Sequence, residues 1–111
     1  MNKNWQQQTA EFTQKRNLTR QPGVYALDLL SELGEVAKLI LEATAYGKRP
    51  FPTTTPAELS GELGDALYSL CQLATAAGVD LDTALAETLA KYEARWQTKG
   101  HMGSQGGEAA K

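Results

Sequence analysis

Apolar residues recur along this chain at intervals of three and four, the spacing that gathers side chains on one face of a helix. On one segment Leu29, Leu33, Val36 and Ile40 form such a stripe, broadened by Leu30, Ala37 and Leu41. A second stripe runs through Leu59, Leu63, Ala66 and Leu70, and a third through Leu81, Leu85, Leu89, Tyr92 and Trp96. Trp5, Thr9, Phe12 and Arg16 give a thinner one near the start. The pattern predicts four helices, over about 4–16, 24–45, 56–78 and 81–97.

Punctuation supports these bounds. "NLTRQPG" breaks the first helix from the second, and Gly47 is the expected stop of the second. "GKRPFPTTTP" reads as a Pro-rich loop. Thr55 as N-cap, Pro56 at the first helical position and Glu58 closing a capping box predict the start of the third helix. Gly78 should end it, and Asp80 should cap the fourth. The Gly-rich stretch 99–111 reads as a flexible tail, leaving residues 1–98 as one domain.

Composition strengthens the helical reading. Leu and Ala supply 31 of the 111 residues, whereas Val and Ile supply four. Leu and Ala favour helix and β-branched residues favour strand, so the fold class is all-α. The formal charge of −2 carries no clustered basic excess, which argues against a nucleic-acid partner. Cys71 is the only cysteine, so an intrachain disulfide is excluded. It falls opposite the acidic side of its helix and is expected to be buried. The polar first residues do not resemble a secretory signal, and no run approaches the ~20 apolar residues of a membrane span. A cytoplasmic location is the expectation.

The charged positions alter the picture most. "SELGE" (31–35) and "GELGD" (61–65) are nearly one phrase written twice. Asp28, Glu32, Glu35 and Glu42 share one side of the second helix. Glu58, Glu62, Asp65 and Gln72 share the matching side of the third. A solvated face is the ordinary reading of a single E-x-x-E. Here, however, like charges recur three apart with no Lys or Arg between them, which is mildly repulsive. If the two helices pack antiparallel, four carboxylates converge, and a hard divalent cation such as Mg²⁺ would resolve the conflict. Gly34 and Gly64 also correspond, and are expected to admit a close backbone neighbour.

E-x-x-E, a gap of 26 residues, then E-x-x-D on successive helices resembles the MazG-like nucleoside triphosphate pyrophosphohydrolases. "DLLSELGEVAKLIL", "ELSGELGDALYSLCQLATAAGVDLDTAL" and "KYEARWQTKGHMGS" carry the likeness over about 24–104. The resemblance implies a four-to-five-helix fold forming an oligomeric bundle, a homodimer or homotetramer. It implies Mg²⁺, or Mn²⁺, held by Glu32, Glu35, Glu62 and Asp65, with Glu35 as the glutamate that takes a proton from the attacking water. It implies hydrolysis of a (deoxy)nucleoside triphosphate to a monophosphate and pyrophosphate, as nucleotide-pool house-cleaning. A phosphoribosyl-ATP pyrophosphohydrolase and a non-catalytic helical dimerisation module are the alternatives.

This chain departs from many relatives at Ser31, where they carry a second glutamate, and at Thr88 and Tyr92, where they carry Lys and Asn. Lys91 and Arg95 are the cations nearby for substrate phosphates, against an ion-paired surface as the plain reading. Lys48 and Arg49 are expected to be solvated. Trp5, Tyr25, Tyr92 and Trp96 are expected to pack, and His101 is given no catalytic role.

Overall fold

The computed structural model describes residues 2–101 and 103. They form four helices: α1 (Trp5–Lys15), α2 (Pro22–Ala43), α3 (Ala57–Ala77) and α4 (Leu81–Lys99), with no strand among the described residues. Two compact units result, Met1–Gly78 with α1 to α3 and a second from Val79 onward with α4. The all-α expectation holds.

Local chemistry explains most of the boundaries. Asn4 and Gln7 close a capping box on α1: Asn4 Oδ1 accepts the Gln7 N–H at 2.7 Å, and Gln7 Oε1 accepts the Asn4 N–H at 2.8 Å. Pro22 opens α2, where its missing N–H costs nothing. Asp80 caps α4 as expected; its Oδ2 accepts the Thr83 N–H at 2.9 Å and the Thr83 hydroxyl at 2.7 Å. These bonds hold the Asp80 carboxyl below the usual carboxylate range. Gly78 and Gly100, both at φ 77°, end α3 and α4.

Two ends differ from the sequence reading. Pro56, not Thr55, is the N-cap of α3, and no side chain caps it. The ring fixes φ near −55° while ψ stays extended at 134°, so the helix starts one residue later and Glu58 stands in its first turn. Helix α2 stops at Thr44, three residues before Gly47. The Thr44 hydroxyl donates to Ile40 O at 2.9 Å and accepts the Gly47 N–H at 3.2 Å. Ala45, Tyr46 and Gly47 then hold φ of 50°, 60° and 88°. Three successive left-handed residues, two of them not glycine, turn the chain away from the helix axis.

Within the first unit α3 is the shared partner, packed on both α1 and α2. Tyr25 meets Gln72, while Glu32 meets Glu62 and Asp65 further back along α3, so α2 runs antiparallel to α3. Gln6 meets Thr75 and Thr13 meets Tyr68, so α1 does the same. The buried positions fall mainly on α3: Leu59, Ala66, Ser69, Cys71, Gln72 and Ala74. Burial pushes the Cys71 thiol up, with a hydrogen bond from Thr9 opposing.

Polar groups join the three helices at one end. The Tyr25 hydroxyl donates to Leu18 O at 3.0 Å and accepts the Arg20 N–H at 3.0 Å. Gln72 Nε2 donates to Thr13 Oγ1 and lies 3.5 Å from the Tyr25 oxygen. The Thr13 hydroxyl donates to Thr9 O at 2.9 Å, so Tyr68 is the donor in the 3.2 Å Tyr68–Thr13 bond.

Many apolar side chains remain uncovered. Leu27 and Leu30 on α2 are 71% and 69% exposed, and Leu33, Leu41, Leu63 and Leu70 are also exposed. Helix α4 buries no residue; Leu85, Leu89 and Trp96 are more than half exposed, and Tyr92 is half-buried. Tyr25 packs as expected, but Trp5 and Trp96 do not. Helical spacing marks a face and not the partner that covers it. Gly34 and Gly64 are not approached either: a Cβ at each would meet no other atom within 4 Å. Of the stretch 99–111, Lys99 ends α4 and His101 is buried; apart from Gly100 and Gly103 the rest lies outside the described residues.

Thr13→Val keeps the side-chain shape but removes the acceptor of the Tyr68 hydroxyl and leaves Gln72 Nε2 only its longer contact with Tyr25. The expected loss is about 1–3 kcal/mol of stability, the scale for stranding a buried polar group, read by chemical denaturation.

Candidate metal centre

Glu32 lies at the middle of α2, and Glu62 and Asp65 lie one turn apart on α3. Antiparallel packing brings one carboxylate oxygen from each to within 4.8 Å of the others. Glu32 and Glu62 are half-buried, and Asp65 is exposed. The helices place them there because each acidic residue flanks an apolar stripe that the α2–α3 seam partly covers.

Desolvation raises the Glu32 pKa most. The negative charges of Asp65 and Glu62, a hydrogen bond to Asp65 and the charge of Glu35 raise it further. A carboxyl that resists ionisation beside two others marks a deficit of positive charge. The donor set consists of hard oxygens from two helices, which suits a divalent cation such as Mg²⁺ or Mn²⁺.

Three of the four expected ligands thus converge. Glu35 stands outside the trio, one turn along α2 from Glu32 and exposed, although its charge reaches Glu32. Asp28, Glu42 and Glu58, on the same stripes, are also outside it. Gln72 continues the α3 stripe into the buried polar network instead. Lys91 and Arg95 belong to α4 in the second unit; Lys91 Nζ lies 5.4 Å from the Tyr92 ring centroid. Lys48 and Arg49 are exposed, as expected.

A further pair of residues was not singled out from the sequence. The Phe12 and Tyr68 rings meet edge to face, with centroids 6.2 Å apart and planes at 88°. Tyr68 is one helical turn beyond Asp65, on the same side of α3. Phe12 was visible as part of the α1 stripe, but only the α1–α3 packing identifies its neighbour.

No helix among the described residues is long and apolar enough to cross a membrane. The family model of the MazG nucleotide pyrophosphohydrolase domain matches residues 20–99. A comparison with curated proteins gave no match.

Glu32 yields a signed pH prediction. An acid whose folded pKa is raised favours the fold below its unfolded value, about 4.3, and that contribution is lost as pH rises through the folded value. In chelator-treated protein Glu32→Gln should therefore melt higher than wild type at neutral pH, with the advantage vanishing in acid. Divalent ions should raise the wild-type melting temperature and move the variant much less. A variant that melts lower at neutral pH and keeps the full divalent response would contradict the assignment.

Proposed function

The chain belongs to the MazG nucleotide pyrophosphohydrolase family, and we propose that it converts nucleoside or deoxynucleoside triphosphates to a monophosphate and pyrophosphate with Mg²⁺. It is a hydrolase; the metal, the substrate and the roles below are our reading. The observation that carries this reading is the convergence of Glu32, Glu62 and Asp65 from two helices.

Glu32, Glu62 and Asp65 would hold the ion, and Glu35 would complete its shell or act beside it. A bound Mg²⁺ would neutralise phosphate charge and lower the pKa of a coordinated water. Glu35 stands apart from the trio, and we assign its carboxylate to accept the proton of the attacking water. The water oxygen bonds to the α-phosphorus, the bond to the bridging oxygen breaks, and pyrophosphate leaves intact. We assign Lys91 and Arg95 to the binding of substrate phosphates by their charge. Residues 1–98 serve this chemistry as one domain in the cytoplasm, in nucleotide-pool house-cleaning.

The working unit is a homodimer or homotetramer. Exposed Leu27, Leu30 and Leu33 on α2 and Leu85, Leu89 and Trp96 on α4 support this reading, because apolar area of this kind gains by being covered.

Product analysis tests the reaction. With Mg²⁺ a triphosphate panel should release monophosphate and pyrophosphate, and no diphosphate or orthophosphate. Glu62→Gln or Glu35→Gln should cut turnover by orders of magnitude, whereas Glu42→Gln, on the same stripe but outside the trio, should leave it intact. Lys91→Ala or Arg95→Ala should raise KM more than it lowers kcat. If Glu35→Gln and Glu42→Gln are equally harmless, the reading fails.

Assembly is tested by light scattering. The expected mass at micromolar concentration is that of two or four chains, and Leu30→Lys, which puts a charge on the α2 face, should lower it. A fully active monomer would refute the oligomer.

A further inference from the structure

In the first unit an open slot of about 250 Å³ is bounded by Gln8, Thr9 and Phe12 of α1 and Tyr68 of α3. Its walls are mostly apolar and aromatic. Phe12 is 46% exposed although Tyr68 lies against it. The Arg16 guanidinium stacks on the Phe12 ring 4.1 Å from its centroid and is not among the residues bounding the slot. The ring therefore accepts a flat partner on a face and keeps part of its surface open. The rims are polar: Gln8 Nε2 is bonded to Lys3 O at 2.9 Å, which leaves its Oε1 as an acceptor.

The position of the slot is its main feature. Tyr68 follows Asp65 by three residues on α3, so one helical turn, a rise of about 4.5 Å, separates a metal-site carboxylate from the aromatic wall. A nucleotide has the same order of parts: charged phosphates at one end, a flat aromatic ring at the other. Tyr68 is fixed rather than floppy, because its hydroxyl donates to Thr13 within the buried polar network. The Phe12 and Tyr68 rings stand at 88° to one another, so a planar ring stacked on Phe12 would present its edge or face to Tyr68 at the angle aromatic pairs favour.

We propose that this Phe12–Tyr68 slot is the nucleobase platform of the enzyme, with Phe12 the stacking residue. The proposal rests on the reading of the chain as a nucleotide pyrophosphohydrolase acting at Glu32, Glu62 and Asp65, and adds where the base lies. Stacking recognises any base by its π-face, so the platform supplies affinity for nucleotides over inorganic polyphosphate.

The test uses the full chain, Mg²⁺ and calorimetric titration with two probes: the non-cleavable α,β-methylene analogues of the four common deoxynucleoside triphosphates, and inorganic tripolyphosphate. Phe12→Ala should weaken binding of the analogues roughly tenfold or more, the scale of one lost base–aromatic stack, and leave tripolyphosphate binding unchanged. Phe12→Trp should restore the nucleotide affinity, which a merely structural role of Phe12 would not do. If Phe12→Ala weakens both probes alike, or neither, the platform is refuted. Wild-type protein binding tripolyphosphate as tightly as the analogues would refute the platform while leaving the phosphate site standing. Wild-type protein binding neither probe would overturn the pyrophosphohydrolase reading and the platform with it.

Discussion

Three carboxylates that repel one another are held together by the α2–α3 seam, and the rest of the first unit is arranged so that the seam does not give way. Glu32 comes from one helix and Glu62 with Asp65 from the other, so their repulsion acts across the packing and tends to open it. The packing of α2 on α3 opposes this opening. A cation between the carboxylates would reverse the sign of the force and turn the weakest line in the unit into a cross-link. Ion affinity and helix packing are then one linked quantity, because whatever loosens the seam also spreads the ligands.

The second device is the polar junction of Thr13, Tyr25, Tyr68 and Gln72. It fastens both outer helices to α3 at the end away from the α2–α3 connection. Hydrogen bonds are directional where apolar contacts are not, so the junction sets the register that apolar stripes alone would leave loose. One register places Glu32 against Glu62 and Asp65. A helical step of one residue on α2 would rotate Glu32 by about 100°, away from its partners.

Much of this was legible in the sequence, and the failures have physical causes. Asp80 and Gly78 could be read because capping is local: the donor of Thr83 and the left-handed φ of Gly78 lie within a few residues. Thr55 misled because proline suits both the first helical position and the position before it, and only ψ decides. Gly47 misled because Thr44 ends α2 by folding its own hydroxyl back. Glu32, Glu62 and Asp65 followed from the repeated phrase and the 3.6-residue period. Glu35 has the same spacing, yet it is exposed and its carboxylate lies outside the trio. Tyr25 and Trp96 were both expected to pack, yet one is buried and the other exposed, since an apolar side chain says where a partner is wanted and not whether this chain supplies it. The Phe12–Tyr68 pair joins residues 56 apart in sequence, and no local pattern links them.

The left-handed run Ala45–Tyr46–Gly47 bears on how such a chain can change over time. The last carbonyls of α2 are closed locally: Tyr46 N–H reaches Leu41 O at 2.7 Å and Arg49 N–H reaches Thr44 O at 2.9 Å. Nothing beyond Arg49 is needed to finish the helix. The remaining connection to α3 therefore acts as a tether, and lengthening a tether costs only the logarithm of its length in closure entropy. Insertions there leave the acidic trio in register, whereas a single inserted residue within α2 would not. The bond between the two halves of the site is thus insulated from the segment that joins them, and that segment is where the chain has room to diversify.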